Sequence, residues 1–175
     1  MNLANAKNLI LDVPNYPKTG IVFKDITPLL ADSKALNLVI STLAERLSKL
    51  EIDYVAGIEA RGFIIGAALS NELQKGFLPI RKPGKLPREV FKQSYQLEYG
   101  SDSLEIHTNL IPRNSKILIV DDVLATGGTA VAAGKLILDL NCQVSAFAFL
   151  FAIDELSGCA RIQSEGFNVA TEVLF

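Results

Sequence analysis

The chain has little of what several function classes need. Its two cysteines, Cys142 and Cys159, stand apart with neither metal-ligand nor Cys-x-x-Cys spacing, so they read as free thiols of a reducing compartment, the cytoplasm. The one histidine, His107, has no serine, cysteine or metal-ligand partner placed with it and reads as structural. The longest apolar run, residues 146–153, falls far short of the ~20 residues that span a bilayer. The first residues include Asn2, Asn5, Lys7 and Asn8 and no signal-like apolar core, so no membrane role is expected. A net charge of −2 and a pI near 5.5 leave no basic footprint for nucleic acid. Neither a P-loop nor a Gly-x-Gly-x-x-Gly fingerprint occurs, and repeats, low-complexity segments and linkers are absent.

What is present fits one α/β domain over residues 1–175: a length of 175 and 49% hydrophobic residues allow one proper core. Its centre is residues 116–129 (KILIVDDVLATGGT). Ile117, Leu118, Ile119 and Val120 form a continuous apolar run, as in a parallel strand covered on both faces. Asp121 and Asp122 end it, and because paired carboxylates are costly in a sheet core they are expected at the strand's C-terminal edge, where open α/β sheets bind ligands. Ala125, Thr126, Gly127, Gly128 and Thr129 follow, small residues that let the backbone approach a ligand. A helix over residues 129–140 would then aim its free N–H groups at the same place, which makes a phosphate cradle. Carboxylates only accept hydrogen bonds and a ribose 2′,3′-diol offers two donors, so acids beside a phosphate cradle suit a ribose 5-phosphate. Singly, each piece also fits an ordinary turn or helix cap.

Elsewhere, residues 3–11 read as a short amphipathic helix, and residues 21–23 as an extended piece that is either a base-binding edge or simply an edge strand with a core aromatic. Helical spacing of Leu36, Val39, Ile40, Leu43, Leu47 and Leu50 predicts a helix capped by Asp32 or Ser33. Residues 53–58 are a buried strand running into Glu59, Ala60, Arg61 and Gly62, which is either a second anion turn or a capped helix start with a surface ion pair. A strand at 77–80 leads to a cationic loop with Arg81, Lys82 and Lys85, then to alternating stretches at 94–99 and 103–108. Buried strand 143–153, a helix over 154–162 and strand 167–174 close the chain. Alternating strands and helices predict an open, mostly parallel twisted sheet with helices on both faces and a small antiparallel hood.

The 116–129 stretch closely resembles the phosphoribosyl-pyrophosphate (PRPP) motif of the type I phosphoribosyltransferases. Residues 17–30 (PKTGIVFKDITPLL) resemble the base-binding segment of the adenine-specific branch, and residues 81–108 resemble its flexible hood. The resemblance implies transfer of 5-phosphoribosyl from PRPP to adenine, with Mg²⁺, in a homodimer. It implies that Phe23, the main chain of Val22 and Lys24, and Val123 hold the purine. Family members often carry arginine at Lys24, which leaves its side chain without an assigned role. Asp121 and Asp122 would take the diol and Ala125 to Thr129 the 5′-phosphate. Glu59, Ala60, Arg61, Arg81, Lys82 and Lys85 would take the pyrophosphate, and Glu98 would serve as acid and base, although the same glutamate fits a solvated strand face. The metal would be held mainly by pyrophosphate rather than by side chains. Two alternatives stand: a PRPP- or nucleotide-sensing module of the same fold, and an enzyme for another base.

Overall fold

The computed structural model describes residues 1–97 and 100–175, with the backbone alone at 96, 97, 100 and 101. Among the described residues, five parallel strands form the central sheet: β3 (Tyr54–Ile58), β4 (Gly76–Ile80), β7 (Lys116–Leu124), β8 (Gln143–Ala152) and β9 (Ala170–Val173). Their order is β4-β3-β7-β8-β9. The chain therefore leaves β3 for one edge and returns to β7 on its other side. Such a reversal opens a crevice at the strands' C-terminal ends, the position where open parallel sheets bind ligands.

Each face of the sheet is covered, which is why the central stretches of β7 and β8 are apolar on both sides. On one side Val55, Leu118, Val120, Ala146, Ala148 and Leu150 pack under α1 (Leu3–Lys7), α2 (Thr27–Ala31), α3 (Ser33–Leu47) and α4 (Arg61–Glu72). On the other, Ala56, Ile117, Ile119, Phe147 and Phe149 pack under α5 (Gly128–Asp139) and α6 (Gly158–Ser164). Period-2 alternation assigns the sides, so one residue of slip in β7 would exchange them.

Two small antiparallel pairs flank the sheet. β1 (Leu11–Pro14) pairs with β2 (Val22–Asp25), with Val13 opposite Phe23. The expected helix over residues 3–11 is therefore shorter. Asn2 caps it by accepting the Asn5 N–H at 2.9 Å, and tight bonds from Leu9 and Ile10 to the carbonyls of Ala6 and Lys7 close it. Leu11 then joins β1. α2 begins inside residues 17–30 and was not expected; Pro28 in its first turn and the Asp25 carboxylate on the Thr27 N–H, 2.8 Å, start it. Of the two expected caps for α3, Asp32 serves, accepting from the N–H groups of Lys34 and Ala35 at 2.9 and 3.0 Å.

The second pair, β5 (Val90–Leu97) and β6 (Gly100–His107), is the expected hood. Its base is part of the core, because Tyr95, Leu104 and Ile106 are buried with α5. His107 is buried too, its Nδ1 3.4 Å from the Glu89 carbonyl, as a structural histidine would be. The expected helix over 154–162 is a 3₁₀ turn (Asp154–Leu156) followed by α6, broken at Ser157, where φ is +53°. No helix among the described residues is long and apolar enough to cross a membrane.

Phe147 is fully buried, stacked 6.5 Å from Phe149 and edge-on to Phe167 at 5.6 Å. Phe147→Ala should cost about 3–5 kcal/mol and lower Tm by roughly 10 °C in a calorimetric melt. A shift under about 2 °C would contradict this packing.

Candidate active site

The crevice between β3 and β7 is a cleft of about 380 Å³ lined by Phe23, Glu59, Ala60, Arg61, Asp121, Asp122, Val123, Leu124, Ala125, Thr126, Gly127, Thr129, Ala130 and Phe149. That volume lies within the range of small-ligand sites. Four sequence segments far apart in the chain thus meet where the strand order reverses.

β7 brings the acids. Its ladder continues past them, with Val123 opposite Phe151 and Leu124 opposite Ala152, so the two aspartates lie inside the strand and not at its end. The ten-residue β8 supplies the extra pairing. Asp122 consequently is 1% exposed. Its Oδ2 lies 2.7 Å from Arg61 Nε at the start of α4, yet no donor is aligned on that oxygen. The contact is Coulombic, and the oxygen remains open to a better-aligned hydroxyl. Asp121 Oδ1 accepts the Asp122 N–H at 2.9 Å. Close approach of α4 depends on Gly62, where a Cβ would sit 2.7 Å from the Val120 carbonyl and 2.9 Å from Asp121 Oδ1.

Burial drives both carboxyls upward. Asp121 is held well above its ordinary 3.8 by desolvation first and by the charge of Asp122 second. Asp122 is raised by desolvation, which the Arg61 charge opposes. Glu59 differs: the Arg81 guanidinium holds it below the usual carboxylate range, against its burial and with help from the Lys82 N–H. Arg81 grips it with Nε and Nη2, both at 3.2 Å.

The turn after β7 leads into α5, whose first N–H groups have no side-chain cap. Gly127 stands at φ +78°, a backbone that favours glycine. A Cβ there would lie 2.8 Å from the Gly158 carbonyl, so this glycine is required by packing against the start of α6. Gly128 is buried in the helix's first turn and does not line the cleft.

Phe23 stands at the cleft's other wall, edge-to-face with Tyr16 at 5.2 Å and with the Arg61 guanidinium 4.7 Å over its ring. Val22 and Lys24 line a neighbouring hollow of about 800 Å³, which shares Ala125 and Thr126 with the cleft. The Lys24 ammonium pairs with Asp12 at 2.5 Å. Arg81, Lys82 and Lys85 are outside the cleft lining: Arg81 donates to Glu59 and the Lys85 carbonyl, and Lys82 is bound to Asp102 and Tyr95. Glu98 falls outside the described residues. Among the described residues no group of three or more His, Cys, Asp or Glu lies together as a metal site.

The phosphoribosyl transferase domain family matches residues 28–171. An adenine phosphoribosyltransferase of Halothermothrix orenii is 52% identical over 94% of this chain and 96% of its own length. One from Francisella philomiragia is 50% identical over the whole of both chains. The chain belongs to the adenine phosphoribosyltransferases. Among solved members of the family, the Thermoanaerobacter pseudethanolicus structure superposes with a TM-score of 0.93 at 44% identity, covering 99% of this chain and 98% of that one. The Saccharomyces cerevisiae structure, complexed with D-2,5-dideoxy-2,5-imino-altritol 1,6-bisphosphate and adenine, has a TM-score of 0.90 at 38% identity, with the same coverage. The enzyme is a pentosyltransferase that moves 5-phosphoribosyl from PRPP to adenine, giving AMP and pyrophosphate in purine salvage.

Leu124, Ala130 and Phe149 also line the transferase's cleft; the sequence marked Phe149 only as part of a buried strand and singled out neither Leu124 nor Ala130. Leu124 and Phe149 are nearly inaccessible and sit in apolar runs, so no pattern separates them from other core residues.

Because Asp121 binds its proton more tightly folded than unfolded, its contribution to stability falls as pH rises from its ordinary 3.8 towards the raised folded value. Asp121→Asn keeps the acceptor for the Asp122 N–H and removes that cost. The unliganded variant should melt higher than the wild type at about pH 7, with the gain vanishing below about pH 4, while turnover falls about 10²-fold or more. Melting curves without a pH-dependent gain would contradict the raised carboxyl.

Proposed function

We infer that the cleft holds the phosphoribosyl group with its 5′-phosphate on the turn from Ala125 to Thr129, its diol on Asp121 and Asp122, and adenine between Phe23 and Val123. The observation that carries this assignment is the buried, unaligned Oδ2 of Asp122 beside an uncapped helix N-terminus, one site for a hydroxyl donor and one for an anion in a single cleft. The backbone of Val22 and Lys24 presents donors and acceptors to the purine edge. Arg61, at the N-terminus of α4 with Glu59 and Ala60 before it, receives the pyrophosphate. Arg81, Lys82 and Lys85 serve the same anion from the adjacent loop once their present partners are exchanged for it.

In the reaction the bond from adenine N9 to the sugar's anomeric carbon forms as the bond to pyrophosphate breaks. The carbon gains cationic character, which the ionised acids stabilise electrostatically. The diol's hydroxyls favour that ionised form by donating to it, offsetting the desolvation that raises both carboxyls. The proton shed from the base's imidazole ring passes to Glu98. Magnesium, when bound, neutralises the leaving pyrophosphate. Two hard carboxylates beside the cleft suit such an ion only if the substrate's own oxygens complete its shell. A cytoplasmic homodimer completes the proposal on family grounds.

The test is a base panel with site variants. With PRPP, adenine should yield AMP while hypoxanthine, guanine and orotate yield no nucleotide. Phe23→Ala should raise the KM for adenine more than that for PRPP. The reverse split would place the base elsewhere.

A further inference from the structure

Arg61 occupies three places in the unliganded enzyme at once. Its backbone opens α4, where an anion is favoured. Its Nε lies 2.7 Å from the nearly inaccessible carboxylate of Asp122. Its guanidinium carbon lies over the Phe23 ring, 4.7 Å from the centroid. A purine stacked on that face of Phe23 needs the same layer of space. A ribose hydroxyl on Asp122 needs the same oxygen.

We propose that Arg61 is a latch that couples the pyrophosphate subsite to the base and ribose subsites, covering Phe23 and Asp122 until an anion at the start of α4 draws the guanidinium away. The inference rests on the assignment of Phe23 to the base and Arg61 to the pyrophosphate. Its energetics follow from the quality of the contacts. The Asp122 contact is a single, unaligned ion pair, whereas two phosphate oxygens accept a guanidinium in paired, aligned bonds. The side chain is about one-third exposed (34%), so packing encloses only part of it. Moving it bares an aromatic face and a carboxylate in the same step, both of which bind the other substrate parts. Without the anion, adenine must itself displace the guanidinium from Phe23. The two ligands therefore help each other although they need not touch.

Coupling of this kind is reciprocal and amounts to about 5- to 150-fold in affinity. Adenine titrated calorimetrically into the whole enzyme should bind that much more tightly in saturating magnesium pyrophosphate than in its absence. Pyrophosphate affinity should rise by the same factor when adenine is saturating. In Arg61→Ala adenine alone should bind more tightly than to the wild type, and pyrophosphate should add nothing. Arg61→Lys, which keeps the charge but lacks the flat guanidinium, should also bind adenine alone more tightly than the wild type, and it serves if the alanine variant does not fold. Equal adenine affinity with and without pyrophosphate in the wild type, or tightening that persists in Arg61→Ala, would overturn the latch. Phe23→Ala separates the two levels. Loss of adenine binding there, with no coupling in the wild type, leaves the base site standing and removes the latch; undiminished adenine binding removes both.

Discussion

The structure depends on keeping two adjacent carboxylates largely out of water at the strand-order reversal. An isolated buried charge is costly, so the surrounding elements are arranged to limit that cost without cancelling it. Gly62 brings α4 against β7, and Arg61 then reaches Asp122, but no hydrogen bond satisfies the oxygen. Under the proposed placement of the sugar, that remainder has a use: acids already well hydrogen-bonded would gain little from a diol, whereas these would exchange a poor contact for aligned ones.

A different solution governs the neighbouring acids. Glu59 is held by two nitrogens of Arg81 and by the Lys82 N–H, and the buried Glu105 accepts the Gly84 N–H at 2.9 Å while its backbone pairs with Arg81. These carboxylates fix the cationic loop to the sheet and to β6. One set of charges, anchored on Glu59 and Glu105, is thus hydrogen-bonded and positions a loop, whereas in the acidic pair Asp122 Oδ2 has no aligned donor. The hydrogen-bonded set has a lowered carboxyl, Glu59, and the buried acidic pair has raised ones, Asp121 and Asp122.

Much of this was legible in the sequence where a residue's chemistry conflicts with its surroundings. Two aspartates after Ile117–Val120 cannot be ordinary core, and their order before a small-residue turn placed them at a ligand site, although the strand continues to Leu124 because β8 is long enough to pair with it. Glycine was legible as a need for space, but not as what fills it: Gly127 faces the Gly158 carbonyl rather than open cleft alone. Residues 3–11 misled because Leu9, Ile10 and Leu11 continue an apolar helical pattern, while pairing of Leu11 with Asp25 lies outside any local signal. The Arg61 contact with Phe23 joins residues 38 positions apart and has no sequence signature at all. Long-range geometry of this kind is decided by tertiary packing, which local propensity does not encode.

A crystal structure of the enzyme with AMP and pyrophosphate tests the central claim most directly. The account predicts the 2′,3′-hydroxyls within hydrogen-bond distance of Asp121 and Asp122, with Asp122 Oδ2 now receiving an aligned donor, and the phosphate on the N–H groups that open α5. A diol turned to solvent, with the phosphate held instead by the loop carrying Arg81, Lys82 and Lys85, would contradict it.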